Sequence, residues 1–595
     1  MKFPITTRSY NNSRTGLNDQ ETDLTPASVG TRGIAKLFSL RLPDDARGTE
    51  AQPLIVPDVK LANGTVHDVV YLCSMGNHVY AYDATDGNLL WGPISLGAPV
   101  INNPRPIHQI NIDSKNINVQ WGVISTPVID LETQTMYVFR WTSPNSNPVN
   151  SLAASEYHLI AMDITNGSLR HPALPVATTF RTAAGKDLPF LSKMQKQRAG
   201  LLLESVKDPK GASHKTLFVA FGGIAEDHPD IHGWLLAFDL ESFKLAASFV
   251  TTQDGSEGGG GIWQAAQGPC SDGNGGVFFM TGNGSWNGST DFAESFVRLQ
   301  YTPPFDGHAA ALKIADWFTP IADEGGVING VHFPGRVTGN TNDRGTWDDQ
   351  DLGSGGPIVL PDLGLVIGAG KDGIVYCLDQ HNFGKTSPSD LANPHKNYAK
   401  LKNPPIFFTY FPGFQLSPAP PHPQDLNQLL PDGKTHHLHG APVYFKSPDR
   451  GHMLFCWGEN ESLRAWSVDN TGKITFLAIG HEVASAGMTG RGGMPGGMLS
   501  LSCNGNTPHT GVVWTLAPLN GDANAAPVQG VLRAYDATQF DSDGHGNNFL
   551  RLLWHSDQWN IFFLHNKFNI AVVFNGKVYV PTYGGTVDVY GLTPQ

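Results

Sequence analysis

The chain has 595 residues and a formal net charge of −13, a balance that argues against nucleic acid or an anionic membrane surface as a partner. No apolar run approaches a membrane span. With 67 glycines and 42 prolines and no sustained helical period, the composition suits an all-β chain rich in turns.

Residues 1–33 are polar and read as an irregular N-terminal segment. The opening MKFPITTRSYNNSRTG lacks the basic-then-apolar pattern of a secretory leader. The expectation is a cytoplasmic protein, or a secreted one if the chain is a processed form. Asn-x-Ser/Thr sequons at Asn11, Asn63, Asn166, Asn283, Asn287 and Asn460 matter only in the second case, since Asn-Gly-Ser is also ordinary turn chemistry. Ile34 to Leu42 then alternates as a strand.

Val79 to Trp91, VYAYDATDGNLLW, reads as strand, tight turn and strand, with Gly87 suited to a positive φ in the turn. The pattern returns as LIAMDITNGSLRH from Leu159, LLAFDLESFKLAA from Leu235, VYCLDQHNFGK from Val375, LRAWSVDNTGKITF from Leu463 and LRAYDATQF from Leu532. A strand–turn–strand unit recurring along one chain means a propeller, solenoid or array.

A second recurring signal is a lead-in of small residues ahead of an apolar strand. Its copies are EAQPLIV from Glu50, ISTPVID from Ile124, QRAGLLL from Gln197, IWQAAQGPCSD from Ile262, GSGGPIVL from Gly353, LHGAPVYF from Leu438, MPGGMLSLS from Met494 and NKFNIAVVF from Asn566. Small residues fit where inner strands crowd around a ring axis. The fold expected is therefore an all-β, eight-bladed β-propeller of four-stranded antiparallel blades, with seven blades as the alternative count. The last repeat, GKVYVPTYGGTVDVYGL, has no outer strand after it. Residues 34–42 are expected to supply that strand, so that 34–595 form a single propeller domain closed by its own beginning. Long insertions at Asn102–Gln120, Pro172–Gln195, Phe318–Gln350 and Gln380–Thr435 are the natural places for function on such a scaffold.

The five cysteines (Cys73, Cys270, Cys377, Cys456 and Cys503) have no metal spacing, and no Cys-x-x-Cys-His haem attachment occurs. Four of them sit in strand-like runs and read as buried structural thiols. The glycine run Gly255–Gly261 precedes no helix, so a phosphate-cradling loop is rejected.

If the lead-ins line the axis, the side chains ahead of each inner strand furnish a funnel mouth. These are Glu50, Gln52, Ser125, Thr126, Gln197, Arg198, Trp263, Gln264, Ser354, His437, His439, Arg491 and Lys567. This polar ring with one large aromatic suits a small polar molecule, and equally suits axial groups that bind water and each other. On a strand, His437 and His439 point to one side and could share Zn²⁺ or Cu²⁺ with a carboxylate such as Glu50, or simply be satisfied histidines. Asp541, Asp543 and His545 open like a calcium loop, but the closing Glu is missing, with Leu552 in its place.

The pattern Ala81-x-Asp83-x-x-x-Gly87-x-x-x-Trp91 resembles the repeat of the pyrroloquinoline-quinone dehydrogenase-like propellers, in which the Trp packs between neighbouring blades. The first copy alone is complete. His171, Ala247 and Phe476 stand at the Trp position elsewhere, and Trp554 restores it. The set Gly261-Ile-Trp263-Gln264, Asp316–Pro320, Asp351–Pro357 and Gly370–Gly373 is similar to stand-alone proteins described as quinoprotein-like propellers. The resemblance implies the fold. For the enzymes of the superfamily it also implies pyrroloquinoline quinone and Ca²⁺, held near a ring of adjacent cysteines. This chain has no adjacent cysteines, and the Glu, Asn and Asp calcium ligands match no motif in it, so no catalytic residue is carried over. An outer-membrane assembly factor of the same superfamily keeps the propeller without the quinone.

Two readings follow. One is a scaffold that binds a small polar molecule, a carbohydrate or a protein partner through its funnel and insertion loops. The other is a haem-free quinone/Ca²⁺ oxidoreductase acting on alcohols or sugars.

Overall fold

The computed structural model describes residues 2–43, 45, 47–102, 112–113, 115, 117–224, 230–254, 258–265, 267–320, 327–328, 331–332, 351–371, 373–387, 389–390, 400, 402, 406–407, 436–489 and 492–594. Much of the insertions 318–350 and 380–435 lies outside this set. Among the described residues, no helix is long and apolar enough to cross a membrane.

Among the described residues the strands form eight blades of four antiparallel strands, blades 6 and 7 being joined by a parallel bridge between Ile479 and Phe549. Blade 1 comprises Leu54–Lys60, Val66–Cys73, His78–Asp83 and Leu89–Ser95. The inner strands of blades 2 to 8 are Val128–Asp130, Leu202–Lys207, Cys270–Ser271, Ile358–Leu360, Val443–Ser447, Met498–Ser502 and Val572–Phe574. Blade 8 takes its outer strand from the chain's beginning. Ile34–Arg41 pairs antiparallel with Thr586–Leu592, setting Phe38 opposite Val589 and Leu40 opposite Val587. The expected closure is thus observed, and it covers an edge that would otherwise stay open.

The recurring turn has one cause in its two clearest copies. In blade 1 the Asp83 carboxylate accepts from Thr85 N at 2.6 Å and Gly87 N donates to Asp83 O at 2.9 Å, with Gly87 at φ +77°. In blade 2 Asp163 and Gly167 do the same, at 2.8 Å for each bond and φ +75°. An Asx turn feeding a left-handed glycine closes both hairpins.

Hydrophobic clusters sit between the faces of successive blades. One joins Val69, Tyr71 and Val79 of blade 1 to Met136, Val138 and Ile160 of blade 2. Trp91 helps seal that seam. Its indole N–H donates to Ile164 O of blade 2 at 3.2 Å, and its ring lies where a Cβ on Gly167 would stand, 2.9 Å from it. The residue aligned with it in blade 2, His171, stacks on Phe243 of blade 3 with ring centroids 4.5 Å apart. All five cysteines are buried and none forms a disulfide.

The lead-ins meet one another near the axis. A Cβ on Gly268 would stand 2.5 Å from Gly200 O, and one on Gly440 would stand 2.8 Å from Gly497 O. These neighbours are backbone and cannot swing away. Gly268→Ala is expected to destabilise the ring by ~2 kcal/mol through overpacking, read as a lower denaturant midpoint at unchanged slope.

The N-terminal segment does more than its polar sequence indicates. Before the short helix Pro26–Arg32 it threads around the channel, touching every blade. Backbone carbonyls of Ile5, Thr6, Asn12, Ser13, Thr15 and Gly16 accept from Ile55, Ile129, Ser271, Val359, Tyr444 and Leu501, the inner-strand amides of blades 1, 2, 4, 5, 6 and 7. Blade 3 is reached through Asn12 Nδ2 on Leu203 O at 2.7 Å, and blade 8 through Asn18 Nδ2 on Val573 O at 2.9 Å. The thread therefore satisfies the inner edges of the sheets, which would otherwise leave buried backbone groups without partners.

Candidate functional site

A cavity of about 280 Å³ opens at the lead-in end of the ring. Its lining comes from two sources. Lys196, Arg198, Trp263, Ala265, Asp351, Ser354, His439, Met494, Lys567 and Phe568 belong to lead-ins or the residues flanking them. Lys371 and Asn524 come from the turns between second and third strands. In an antiparallel blade that turn returns to the end where the first strand begins, so both sets converge on one mouth.

Charge sets the character of the site. Arg198 Nη1 lies 2.6 Å from Glu50 Oε2, a contact of charges rather than a well-aligned hydrogen bond, and the guanidinium covers the Phe568 ring at 4.3 Å. Arg198 Nε and Nη2 are buried and have no hydrogen-bond partner among the described residues. Glu50 Oε1 also accepts from Tyr583 Oη at 2.7 Å and Asn118 Nδ2 at 2.8 Å. Burial pushes the Glu50 carboxyl up, but Arg198, Lys567, Tyr583 and Lys196 outweigh it and hold the group below the usual carboxylate range.

Lys196 Nζ sits 3.9 Å over the Trp121 ring and 5.8 Å from that of Trp263, and donates to Ile112 O at 3.1 Å. Burial, with Arg198 and Lys567 nearby, pushes its ammonium down to about 7. Lys567 donates to Asn524 Oδ1 at 2.8 Å and is likewise pushed down by burial. Lys371 pairs with Asp351 at 2.7 Å. Four side-chain cations thus face one lining carboxylate, Asp351, with Glu50 behind the wall. In a chain of net charge −13 this is a local reversal of sign.

Of the residues expected at the mouth, Arg198, Trp263, Ser354, His439 and Lys567 line the cavity. The others stand elsewhere. Gln52 turns toward the N-terminal thread, accepting from Ser9 N at 3.0 Å and donating to Thr7 O at 3.2 Å, while Thr126 Oγ1 accepts from Gln52 N at 3.0 Å. Gln197 Nε2 donates to Ala199 O at 2.7 Å and Gln264 Nε2 to Gly268 O at 3.3 Å, both within the packed ring. His437 turns toward Glu459, its side chain 12% exposed. Arg491 lies outside the described residues. Sequence reasoning had no place for Lys196, Asp351, Lys371 or Asn524 in this site.

The calcium-like run does not form a cage. Asp541 Oδ1 accepts both Nε and Nη2 of Arg551, at 2.9 and 2.7 Å. Asp543 accepts from His545 N at 2.7 Å and from Asn547 N and Nδ2 at 3.1 and 2.7 Å, closing an exposed hairpin. The carboxylate expected beside the histidine pair also differs: Glu459, not Glu50, meets His437 and His439.

No family model matches the sequence, and no curated protein matches it. Among solved structures, the quinohemoprotein alcohol dehydrogenase ADHIIG from Pseudomonas putida HK5 aligns over 100% of this chain and 81% of its own, at 13% identity and a TM-score of 0.49. The quinohemoprotein alcohol dehydrogenase from Comamonas testosteroni aligns over the same shares at 13% identity and a TM-score of 0.48. BamB from Moraxella catarrhalis aligns over 94% of this chain and 98% of its own, at 11% identity and a TM-score of 0.41. The blade count and the closure rest on this chain's own strand pairing.

Proposed function

We propose that the propeller binds a small organic anion, a di- or tricarboxylate with a flat body, in the funnel cavity. The observation that carries this reading is the charge of the lining: Arg198, Lys196, Lys567 and Lys371 border one space in which Asp351 is the one lining carboxylate. A bound carboxylate offsets those charges, and Trp263 offers an aromatic surface for the body of the ligand. A neutral carbohydrate would leave the cations uncompensated.

The second reading, a quinone/Ca²⁺ oxidoreductase, is supported in its organic part and not in its metal. Pyrroloquinoline quinone is a flat tricarboxylate and suits the cations around Trp263. Ca²⁺ needs several oxygen ligands turned into one space. Here the carboxylates at the cavity are held by Arg198 and Lys371, and four ammonium or guanidinium groups surround the space a divalent ion would enter. No redox step is derived through that pair.

Calorimetric titration with carboxylates of rising charge and with neutral sugars tests the proposal. Affinity is expected to rise with ligand charge and to fall with added salt. Arg198→Gln should weaken binding by ~2 kcal/mol or more, about 30-fold. Sugars binding as tightly as tricarboxylates would overturn it. Pyrroloquinoline quinone added with and without Ca²⁺ separates the second reading, because retention that requires Ca²⁺ would favour the oxidoreductase.

A further inference from the structure

Two imidazoles and a carboxylate meet at blade 6, where one of them, His439, reaches the cavity. His437 and His439 precede the inner strand Val443–Ser447, and Glu459 lies in the turn between Gly451–Cys456 and Ser462–Val468. Glu459 N donates to His437 O at 2.9 Å, so the two loops are fastened at the point where the side chains converge. His437 Nδ1 is 3.6 Å from Glu459 Oε2, and His439 Nε2 is 2.8 Å from Glu459 Oε1. The three donor atoms lie within 4.8 Å of one another, and all three residues are buried. His439 also lines the cavity.

We propose that His437, His439 and Glu459 bind one divalent cation of the zinc class, with the fourth coordination position turned toward the cavity. Tetrahedral Zn²⁺ with bonds of about 2.0–2.1 Å sets its ligand atoms roughly 3.3–3.5 Å apart. The two histidine–glutamate separations, 2.8 and 3.6 Å, fall on either side of that spacing, and all three donor atoms lie within 4.8 Å of one another. Imidazole nitrogen selects against Ca²⁺ and Mg²⁺, which take oxygen. The flanking residues brace the same loops. His436 Nδ1 lies 2.7 Å from Glu461 Oε1, and Arg464 Nη2 donates to Glu461 Oε2 at 2.6 Å. Outer contacts of this kind hold ligand-bearing backbone in place. His439 lines the same cavity as Arg198, but the three ligands and the Arg198–Glu50 pair share no residue.

The test is a Co²⁺ titration of chelator-treated full-length protein, followed by Zn²⁺. The expected result is one Co²⁺ per chain with the visible absorption of a four-coordinate site, displaced by one equivalent of Zn²⁺. Glu459→Gln keeps the size of the side chain and removes the charge. It and His439→Ala should weaken Co²⁺ binding by more than the ~10–100-fold that losing an outer-shell group brings. Arg198→Gln should leave the Co²⁺ spectrum unchanged while weakening the anion, so the two proposals fail independently. A wild-type protein with no saturable Co²⁺ absorption, or Glu459→Gln binding as tightly as wild type, would overturn the assignment. The wild-type titration stands even if a variant does not fold.

Discussion

Arg14→Ala is expected to lower the stability of the ring by roughly 4 kcal/mol or more, because charge-assisted bonds contribute ~1.5–3 kcal/mol each and buried acceptors left bare add to the loss. Arg14 is fully buried. Its Nε donates to Pro269 O at 3.0 Å, Nη1 to Thr7 Oγ1 at 2.7 Å and Arg8 O at 2.8 Å, and Nη2 to Leu201 O at 2.8 Å. Burial pushes the guanidinium down to about 10, which still leaves it charged at neutral pH. One side chain therefore fastens the axial thread to blades 3 and 4, and alanine strips four acceptors at once in a place water does not reach. Chemical denaturation followed by tryptophan fluorescence measures the effect. Arg14→Lys should recover part of it, since an ammonium keeps the charge but lacks the planar fork. A loss below about 1 kcal/mol for the alanine variant would show that the thread contributes little to the ring.

Glu50→Gln is expected to cost about 3–5 kcal/mol, the usual penalty for breaking a buried ion pair from one side. Glutamine can still accept from Tyr583 and Asn118, so what is lost is the charge that offsets Arg198, Lys196 and Lys567. The sign with pH follows from the direction of the shift. The folded carboxyl is held below its ordinary value of 4.5, so its contribution is fully present above that value and fades as pH falls through the lower, folded one. The gap in stability between wild type and Glu50→Gln should therefore be flat near neutrality and narrow on acidification. The same variant removes the carboxylate that competes for Arg198, so the funnel should bind a carboxylate more tightly. Tighter binding together with lower stability separates this outcome from general damage. A gap that widened in acid would contradict the sign.

The architecture was legible because it is periodic. Asp83 and Gly87 mark a turn that can be recognised again at Asp163 and Gly167. The outer strand of the last blade could be inferred because Ile34–Arg41 alternates as the outer strands of the other blades do. The axial thread had no such signal. Its Thr, Arg, Asn and Ser side chains and carbonyls bond to strand edges far away in sequence, and bonds of that kind leave no period behind. The site was half legible for a topological reason. Reasoning from lead-ins reached Arg198, Trp263, Ser354, His439 and Lys567, yet overlooked that second-to-third-strand turns arrive at the same rim, which is how Lys371, Glu459 and Asn524 get there. Gln52 and Gln264 were misplaced because a lead-in residue can face the axis and still be consumed by the backbone beside it.

The thread and the closing strand both precede Leu42, while the last blade that receives them ends at Leu592; Arg32 bonds to Thr593, 561 positions away. On the ribosome these stretches are made before the blades that receive them. Closure of the ring therefore waits on Thr586–Leu592, and a chain cut before that strand would leave Ile34–Arg41 without its partner.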